Sequence, residues 1–317
     1  MSEPLVIGVD GGGTKTVAWL APLADPSGQT IVGCGLAGPG NPRAAGFETA
    51  QSNIDQAIEA AFLDAKLPRI PAAAACFGLA GAGRPSEQEQ IAAWATRRGI
   101  AAKVRVCHDA KPILAAAAPD NVGIALIAGT GSLAWGRNAA GETARAGGWG
   151  YLLGDEGSGY AIAVAGLRAA MRATDGRGPQ TDLLAGLMQR LDAPSPDELV
   201  AKIYSPQTSR EELAALAHVV FDYVETDETA ATIIHTAARD LSELVVAVAR
   251  ELDFSDGGFT LAMTGGAIVH QLHYRDAVLT VVDQRLQLQK LAAPSRCVVV
   301  EEPVLGAVRL ARSLAAS

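Results

Sequence analysis

The fold is decided by the stretch LVIGVDGGGTKTVAWL, residues 5–20. Its first apolar run, rich in β-branched residues, predicts a strand covered on both faces, and this run breaks at Asp10 and three glycines before a second apolar run begins. Glycine lacks a Cβ atom, so its backbone can adopt a positive φ and its N–H group can approach an anion closely. We therefore interpret the stretch as a strand-loop-strand hairpin that binds phosphate.

Two better-known phosphate loops do not match this stretch. A Walker A loop needs Gly-Lys-Ser/Thr leading into a helix, whereas Gly13 is followed here by Thr14, Lys15 and Thr16. The dinucleotide pattern Gly-x-Gly-x-x-Gly has Thr16 where its third glycine belongs. Because an ordinary hairpin turn also uses glycine, the loop alone is a weak indication of phosphate binding.

The chain contains this pattern twice. Residues 13–19, GTKTVAW, align with residues 129–135, GTGSLAW, and agree at the glycine, the threonine, the alanine and the tryptophan. Each copy follows an apolar run and precedes a second turn, at residues 25–28 and 138–141. We infer two related halves that each present a Gly-Thr hairpin to a common cleft, which is where a ligand would bind.

Composition and charge limit the class of protein. With 317 residues, 49% of them hydrophobic, the chain is long enough for two domains, and its alternation of helical and strand-like segments predicts an α/β fold. The net charge of −8 disfavours nucleic acid or an anionic membrane as a partner. The first residues contain no basic segment followed by a long apolar one, and no stretch resembles a membrane span, so we expect a cytoplasmic protein. The four cysteines are far apart, which is typical of reduced and mostly buried thiols.

Two aspartates stand directly before predicted helices. Asp109 follows a predicted strand over residues 103–107, and in open α/β sheets ligands bind beyond the carboxyl ends of the strands. Pro112 lies in the first turn of the next helix, so the residues alone favour Asp109 as an N-cap. Asp155 could in the same way cap the helix that follows it or interact with its dipole.

Local patterns predict the remaining elements. Asn41 lies in a glycine- and proline-rich loop, where asparagine ordinarily bonds its own backbone, and Ser86 with Glu89 predicts a capping box. The predicted strands are residues 29–34, 72–79, 259–264 and 297–300, and the predicted helices are residues 47–63, a mostly helical region to about residue 252, and residues 305–314.

Four motifs, in this order, give the chain a family resemblance. They are DGGGT at residues 10–14, Asp109 at a strand end, GTGS at residues 129–132, and GGWG at residues 147–150 followed by GDEGS at residues 154–158, with a weaker match of TGGA at residues 264–267. The chain resembles the N-acetylglucosamine kinase branch of the BadF-type ATPases, in the superfamily of sugar kinases, heat-shock ATPases and actin. The resemblance implies two actin-like, ribonuclease H-like domains, residues 1–118 and 119–317, with a central cleft for nucleotide and sugar. It also implies that the final helix packs back on the first domain.

The resemblance further implies roles for individual residues. Asp109 would be the base that accepts the proton of the sugar 6-hydroxyl, and Asp10 would hold Mg²⁺ through water. Strand alternation leaves open whether Lys15 faces the phosphates. The residues implied to bind the sugar are Asn41, Pro42, Ser132, Gly148, Trp149, Gly150 and Asp155. The residues implied to bind ATP are Gly11, Gly12, Gly13, Thr14, Lys15, Gly129, Thr130, Gly131, Gly265, Gly266 and Ala267.

We therefore expect ATP-dependent phosphorylation of N-acetyl-D-glucosamine to its 6-phosphate in amino-sugar salvage, with domain closure and possible homodimer formation. Glucosamine or another amino sugar remains an alternative substrate, because the sequence does not show which residues would bind the acetamido group. An activator of acyl-CoA dehydratases would need cysteines for an iron-sulfur cluster, and none of the four has a close partner. A non-catalytic sugar sensor would be expected to carry a DNA-binding domain, for which there is no room before Leu5, and an actin-like assembly protein would not need Asn41, Asp109 and Asp155 together.

Overall fold

The computed structural model describes residues 3–25, 28, 30–254 and 257–317, so the predicted turn at residues 25–28 lies partly outside the described residues. The chain divides into two compact units. The first contains Met1–Asn121 and Val300–Ser317, and the second contains Val122–Val299. The sequence predicted a domain boundary near residue 118, with the final helix packing back on the first domain. In the structure, the segment that rejoins the first unit is longer and begins at Val300.

The secondary structure alternates between strands and helices, which confirms the predicted α/β class. The elements in chain order are β1 (Leu5–Gly11), β2 (Thr16–Pro22), β3 (Gly33–Ala37), α1 (Pro42–Ala45), α2 (Phe47–Asp64), β4 (Ala72–Leu79), α3 (Pro85–Arg97), β5 (Ala101–His108), α4 (Ala110–Ala117), β6 (Gly123–Ala128), β7 (Ser132–Arg137), β8 (Thr143–Gly147), α5 (Gly159–Thr174), α6 (Leu183–Arg190), α7 (Pro196–Ile203), α8 (Arg210–Ala215), α9 (Ala217–Asp222), α10 (Glu228–Glu251), β9 (Phe259–Thr264), α11 (Gly266–Val269), α12 (Leu272–Leu288), β10 (Pro294–Val299) and α13 (Val304–Ala316). None of the helices in the described part of the chain is long and apolar enough to cross a membrane.

Each unit contains a five-stranded sheet, and the two sheets have the same topology. The strand order is β3-β2-β1-β4-β5 in the first unit and β8-β7-β6-β9-β10 in the second. In each sheet the first three strands form an antiparallel meander, and the other two run parallel to its first strand. The repeated Gly-Thr pattern thus marks a structural repeat, and both copies are strand-loop-strand hairpins.

Helices cover both faces of the first sheet. On one face α2 packs so closely on β3 that a Cβ atom on Gly35 would lie 1.9 Å from the carbonyl oxygen of Ala57. On the other face the final helix, α13, packs on β1, where a Cβ atom on Gly8 would lie 2.5 Å from the backbone nitrogen of Val308. β1, which carries Asp10 near its carboxyl end, is therefore buried on both faces, as the continuous apolar run predicted.

The core of the second unit forms around α10. Its apolar face, which includes Ile234, Leu241 and Val245, is buried against the sheet and the helical region. A Cβ atom on Gly136 of β7 would lie 2.5 Å from Val248 of the same helix. Tyr274 of α12 is buried in this core, and its hydroxyl donates a hydrogen bond of 2.7 Å to the carbonyl oxygen of Gly157. The core thereby holds the segment that precedes α5.

Two local predictions are wrong. The third strand is Gly33–Ala37 and not residues 29–34, because its glycines let α2 contact the backbone closely, and Gln29 lies outside the described residues. The predicted capping box of Ser86 and Glu89 does not form. Instead α3 begins at Pro85, and the Glu87 carboxylate accepts a hydrogen bond from the backbone N–H of Arg84.

The buried carboxylate of Asp227 caps α10 and joins it to the start of α6. One oxygen accepts from the N–H groups of Thr229 and Ala230, and the other accepts from the Thr181 hydroxyl and the Asp182 N–H. Burial tends to raise the pKa of this carboxyl, but these hydrogen bonds, that of Thr181 first, outweigh burial and hold the pKa below its ordinary value.

We predict that Asp227→Ala lowers the free energy of unfolding by about 1–3 kcal/mol at pH 7, because four donors lose their acceptor. Since the folded-state pKa is depressed, the contribution of the carboxylate is complete above the unfolded pKa of about 4 and is lost as the pH falls through the folded pKa. Urea unfolding followed by circular dichroism at pH 7 and at about pH 3.5 measures both effects. The exposed Asp222 of α9 provides the control, Asp222→Ala.

Candidate active site

The first hairpin turn is packed against its neighbours by backbone contacts. The N–H of Gly12 donates to the carbonyl oxygen of Lys15 at 2.9 Å, which closes the turn. A Cβ atom on Gly11 would lie 2.6 Å from a methyl carbon of Leu79. The expectation that these glycines use a positive φ is wrong, because none of Gly11, Gly12 and Gly13 has one. Glycine is needed at Gly11 for close packing, while Thr14 and Lys15 are exposed at the tip.

The loop that carries Asn41 is fastened to this hairpin. The N–H groups of Gly40 and Asn41 both donate to the carbonyl oxygen of Gly12, at 3.0 Å each. The buried Thr16 hydroxyl donates to the carbonyl oxygen of Gly38 at 2.8 Å. The hairpin and the Asn41 loop therefore form one hydrogen-bonded assembly within the first unit, and Asn41 has a fixed place at its edge.

The side chain of Asn41 caps a helix through only one end of its amide. Its Oδ1 atom accepts hydrogen bonds from the N–H groups of Arg43 and Ala44, at 2.9 and 3.2 Å, and caps α1, which begins at the buried Pro42. Gly81 lies against the amide, since a Cβ atom there would be 2.1 Å from Oδ1. Among the described residues, no hydrogen bond uses the Nδ2 atom as donor. The cap thus orients the amide and leaves its NH₂ group as the donor that can meet a ligand oxygen.

Asp10 and Asp109 lie at the carboxyl ends of β1 and β5, at the same edge of the first sheet. The pKa of Asp10 is raised to about 7, first by burial and then by the nearby charge of Asp109, while Lys15 lowers it in part and Glu302 raises it. Lys15 is thus close enough to act on Asp10, although it is exposed. Glu302, which the sequence analysis did not single out, adds negative charge from the segment before α13.

Asp109 does not cap α4. It occupies the N-cap position, but its φ of −58° and ψ of −28° are helical, and its side chain makes no capping hydrogen bond. The residues alone favoured capping for Asp109, and the structure contradicts that interpretation. A carboxylate held at the end of a strand, beside a second carboxylate and outside any cap, is suited to accept a proton from a substrate.

The carboxylates of this edge are compatible with a bound Mg²⁺ ion. The mutual repulsion of Asp10 and Asp109 would be relieved by a cation. Within the described residues, no group of three or more histidine, cysteine, aspartate or glutamate side chains could enclose a metal. Mg²⁺ keeps several waters and commonly binds one or two carboxylates together with substrate phosphates, so a single protein carboxylate such as Asp10 is sufficient.

In the second unit, the matching hairpin is held by Asp155. This residue is 5% exposed and has a φ of +63°, which an aspartate adopts more readily than a branched residue. Its Oδ1 atom accepts from the N–H of Ser132 at 3.2 Å, and a Cβ atom on Gly131 would lie 2.9 Å from its Oδ2. The Ser132 hydroxyl in turn donates to the carbonyl oxygen of Glu156 at 2.7 Å. These contacts place the Asp155 carboxylate beside the Gly-Thr turn.

Asp155 does not cap a helix either. The N-cap of α5 is Ser158, whose hydroxyl oxygen accepts from the N–H of Ala161. Burial raises the pKa of the Asp155 carboxyl above its ordinary value, against the lowering effects of the Ser132 N–H and the Arg210 charge. A buried carboxylate that serves no cap and lies beside a glycine turn is a candidate acceptor for ligand hydroxyl groups.

The Gly-Trp-Gly segment before Asp155 presents backbone groups. Gly147, Gly148 and Gly150 all have positive φ, and Arg145 of β8 donates to the carbonyl oxygens of Gly147 and Gly148. The Arg145 guanidinium also lies 5.3 Å from the ring centroid of Trp149, which is 70% exposed. Arg145 was not identified in the sequence, because only its tertiary contacts show that it supports this segment.

The third glycine turn packs directly against the second hairpin. Gly265 has a φ of +97°, and a Cβ atom there would lie 2.4 Å from the carbonyl carbon of Ala128 and 2.6 Å from the backbone nitrogen of Gly129. The helix that starts at Gly266 is a single turn of four residues, α11, in which Ala267 is buried. The structure therefore brings two of the predicted nucleotide-binding segments of the second unit into contact.

We predict that Gly265→Ala lowers the free energy of unfolding by about 1–3 kcal/mol, because a side chain would strain the backbone and push the turn away from Gly129. Gly266→Ala is a matched control for stability, since its Cβ atom would contact only a ring carbon of His270, at 3.8 Å. Thermal unfolding of both variants measures the difference. Equal midpoints would contradict the close packing at Gly265.

Comparison with known proteins supports the resemblance found in the motifs. The model of the BadF/BadG/BcrA/BcrD ATPase family matches residues 7–311. The N-acetylmuramic acid/N-acetylglucosamine kinase of Clostridium acetobutylicum is 31% identical over 311 residues, which cover 97% of this chain and 98% of that protein. The N-acetyl-D-glucosamine kinase of Dictyostelium discoideum is 30% identical and covers 84% of this chain and 86% of that protein.

Solved structures agree with the observed architecture. A candidate N-acetylglucosamine kinase from Chromobacterium violaceum superposes with a TM-score of 0.74 at 27% identity and covers 98% of this chain and 99% of that one. A ROK family glucokinase from Streptomyces griseus, in complex with glucose and AMPPNP, has a TM-score of 0.57 at 16% identity, covers 99% of this chain and 100% of that one, and so supports the fold alone. The predicted fold class and family are confirmed, and the chain belongs to the BadF/BadG/BcrA/BcrD ATPase family.

Proposed function

We propose that the protein is an ATP-dependent kinase that converts N-acetyl-D-glucosamine to its 6-phosphate. The observation that carries this proposal is the placement of Asp109 directly after β5, at the same sheet edge as Asp10. A carboxylate at the carboxyl end of a strand, beside a second carboxylate, is suited to act as a general base. Both curated relatives are named for N-acetylglucosamine, which makes this sugar the first candidate.

Each unit contains its own set of groups suited to bind a sugar. In the first unit, Asn41 donates from its Nδ2 atom, and Pro42 keeps the loop in place by starting α1. In the second unit, the Asp155 carboxylate accepts hydrogen bonds from sugar hydroxyls, and the backbone of Gly148, Trp149 and Gly150 adds further polar groups. Ser132 has a positioning role, because its hydroxyl is already bonded to Glu156.

ATP is bound chiefly by backbone groups at the glycine turns. Such turns expose N–H groups that can approach phosphate oxygens closely, and threonine hydroxyls add donors. The proposed contacts come from Gly11, Gly12, Gly13, Thr14, Lys15, Gly129, Thr130, Gly131, Gly265, Gly266 and Ala267. Mg²⁺, when bound, would neutralise charge on the phosphates, and Asp10 is the residue that would hold it.

The reaction then requires one proton transfer and one phosphoryl transfer. Asp109 accepts the proton of the sugar 6-hydroxyl as O6 forms a bond to the γ-phosphorus. The bond from that phosphorus to the oxygen it shares with the β-phosphate breaks, and ADP leaves with this oxygen. A positioned base contributes about 10²–10⁴-fold to such a rate, and most of the remainder comes from positioning and electrostatic stabilisation.

The test of this proposal is a coupled ADP-release assay with Mg-ATP and one acceptor at a time. The acceptors are N-acetylglucosamine, glucosamine, N-acetylmannosamine and glucose, with a sample without sugar as the background. We expect release that depends on N-acetylglucosamine. Preference for glucosamine would retain the chemistry and change the substrate, whereas ADP release that ignores every sugar would overturn the kinase assignment.

We predict that Asp109→Asn lowers kcat for the preferred sugar by about 10²–10⁴-fold, because an amide cannot accept the proton. Binding of ATP and sugar should be retained. Since the charge of Asp109 opposes ionisation of Asp10, its removal should leave the unfolding temperature unchanged or slightly raised. Steady-state kinetics and thermal unfolding of the same sample test both statements, and an unchanged kcat would remove Asp109 from the role of base.

We predict that Gly81→Ala raises the KM for the sugar by about tenfold or more, because the new methyl group would displace the Asn41 amide, 2.1 Å away. Gly99→Ala is the matched control. Gly99 also has a positive φ, +68°, but nothing lies within 4 Å of its Cβ position. The two variants therefore share the backbone strain, and only Gly81→Ala should change the KM. Equal KM values would contradict the role of Asn41.

A further inference from the structure

The amide of Asn41 lies between two chain segments that are far apart in sequence. One is α1, which its Oδ1 atom caps, and the other is the loop after β4, where a Cβ atom on Gly81 would lie 2.1 Å from the same Oδ1. The first hairpin holds the start of each segment. The Gly12 carbonyl oxygen accepts from the Asn41 N–H, and the Gly11 carbonyl oxygen accepts from the Ala80 N–H at 2.9 Å. These bonds fix where each segment begins and leave its far end to other contacts.

Glu87, in the first turn of α3, links the far ends of these two segments. Its Oε1 atom accepts from the Nε atom of Arg43, the second residue of α1, at 2.7 Å. Its Oε2 atom accepts from the backbone N–H of Arg84, at the end of the Gly81 loop, at 2.9 Å. The next residue reinforces the second contact, because Gln88 Nε2 donates to the carbonyl oxygen of Ala82 at 2.8 Å. One carboxylate thus joins α1, the Gly81 loop and α3.

The Glu87 carboxylate is more sheltered than that of an ordinary surface ion pair. Its side chain is 12% exposed, whereas the side chain of Arg43 is 49% exposed. Burial raises the pKa of the Glu87 carboxyl, but the hydrogen bonds from Arg43 and from the Arg84 N–H outweigh burial and hold the pKa below its ordinary value. The group is therefore ionised at neutral pH. Exposed ion pairs contribute little, whereas a sheltered carboxylate that accepts two hydrogen bonds fixes the geometry of both donors.

We propose that Glu87 is a positioning residue for the sugar: it holds α1 and the Gly81 loop on either side of Asn41 and so fixes the direction of the Nδ2 donor. This inference rests on the proposed function, which assigns Asn41 to the sugar. The Oδ1 atom of Asn41 is bonded to the first N–H groups of α1. A movement of α1 relative to the loop would therefore turn the whole amide, and a displacement of about 1 Å is sufficient to weaken a substrate contact.

The position of Glu87 limits its effect to one substrate. Its carboxylate bonds to α1 and to the Gly81 loop, while the ATP contacts proposed for the first unit come from residues 11–15. The proposed base, Asp109, follows β5 and belongs to neither segment. Loss of the link through Glu87 should therefore raise the KM for the sugar, while kcat and the KM for ATP change little.

The test measures kcat and both KM values in the ADP-release assay, with the preferred sugar and ATP varied in turn. Glu87→Gln should raise the KM for the sugar by about 3–10-fold, because an amide has one acceptor oxygen and cannot accept from both segments. Arg43→Met should raise it to a similar extent, and Arg43→Lys, which keeps a charged donor, should raise it less. Glu59→Gln is the matched control. It breaks the ion pair of Glu59 with Arg69, which lies before β4 and not after it, and should change none of the three constants.

Combination with a change at Asn41 separates a positioning role from a purely structural one. Asn41→Ser keeps a side-chain oxygen for the helix cap but removes the Nδ2 donor, so it should itself raise the KM for the sugar. If Glu87 acts through Asn41, Glu87→Gln should add almost nothing in the Asn41→Ser background, since changes within one network are not additive. A general loss of structure would instead add to the effect of Asn41→Ser.

Three outcomes would overturn the inference. They are an unchanged KM for the sugar in Glu87→Gln, an equal rise of the KM for ATP, and additive effects of Glu87→Gln and Asn41→Ser. In each case, sugar-dependent ADP release by the wild-type protein would leave the proposed function intact. A wild-type protein that phosphorylates none of the sugars would refute the proposed function and this inference with it.

Discussion

In each unit, the candidate site residues depend on one constraint: two backbone segments approach each other closely at positions where a Cβ atom has no room. In the first unit, the N–H groups of Gly40 and Asn41 donate to the carbonyl oxygen of Gly12, and these hydrogen bonds fasten the Asn41 loop to the first glycine hairpin. In the second unit, Gly265 lies against the end of β6, where a Cβ atom would be 2.4 Å from Ala128. These contacts are short because glycine is present, and they join loops that otherwise have no core to hold them.

Charge adds a second constraint, and it opposes stability. Asp10 and Asp109 raise the electrostatic energy of the same sheet edge, and burial keeps Asp155 away from water. Each arrangement costs free energy in the unliganded protein and is offset by the cores of the two units. A substrate hydroxyl, a cation or the phosphates of ATP would relieve part of this cost. Functional sites commonly have perturbed carboxylates of this kind, which is why their pKa values point to chemistry.

For Asn41, Asp109 and Asp155, the local sequence pattern predicted a role in a turn or a helix cap, and the structure confirms that role only for Asn41. Asn41 does cap α1, as its loop position suggested, yet the cap uses only the carbonyl oxygen of its amide. Asp109 and Asp155 cap no helix, although Asp109 directly precedes α4 and Asp155 lies shortly before α5. Local propensity therefore identified the positions but not the roles. The roles depend on partners distant in sequence, such as Asp10 for Asp109 and Ser132 for Asp155.

The sequence by itself determined the α/β class, the paired Gly-Thr hairpins and their repeat, because apolar runs, glycine turns and strand propensity act over short stretches. It also gave the family, through motifs whose residues are contiguous. Only the tertiary structure showed that β3 is Gly33–Ala37, since Gly35 matters through its contact with α2. Likewise, only tertiary interactions identified Arg145, Glu302 and Arg210 as residues that act on the candidate site. Charge and packing act through space, so their partners cannot be derived from the order of residues along the chain.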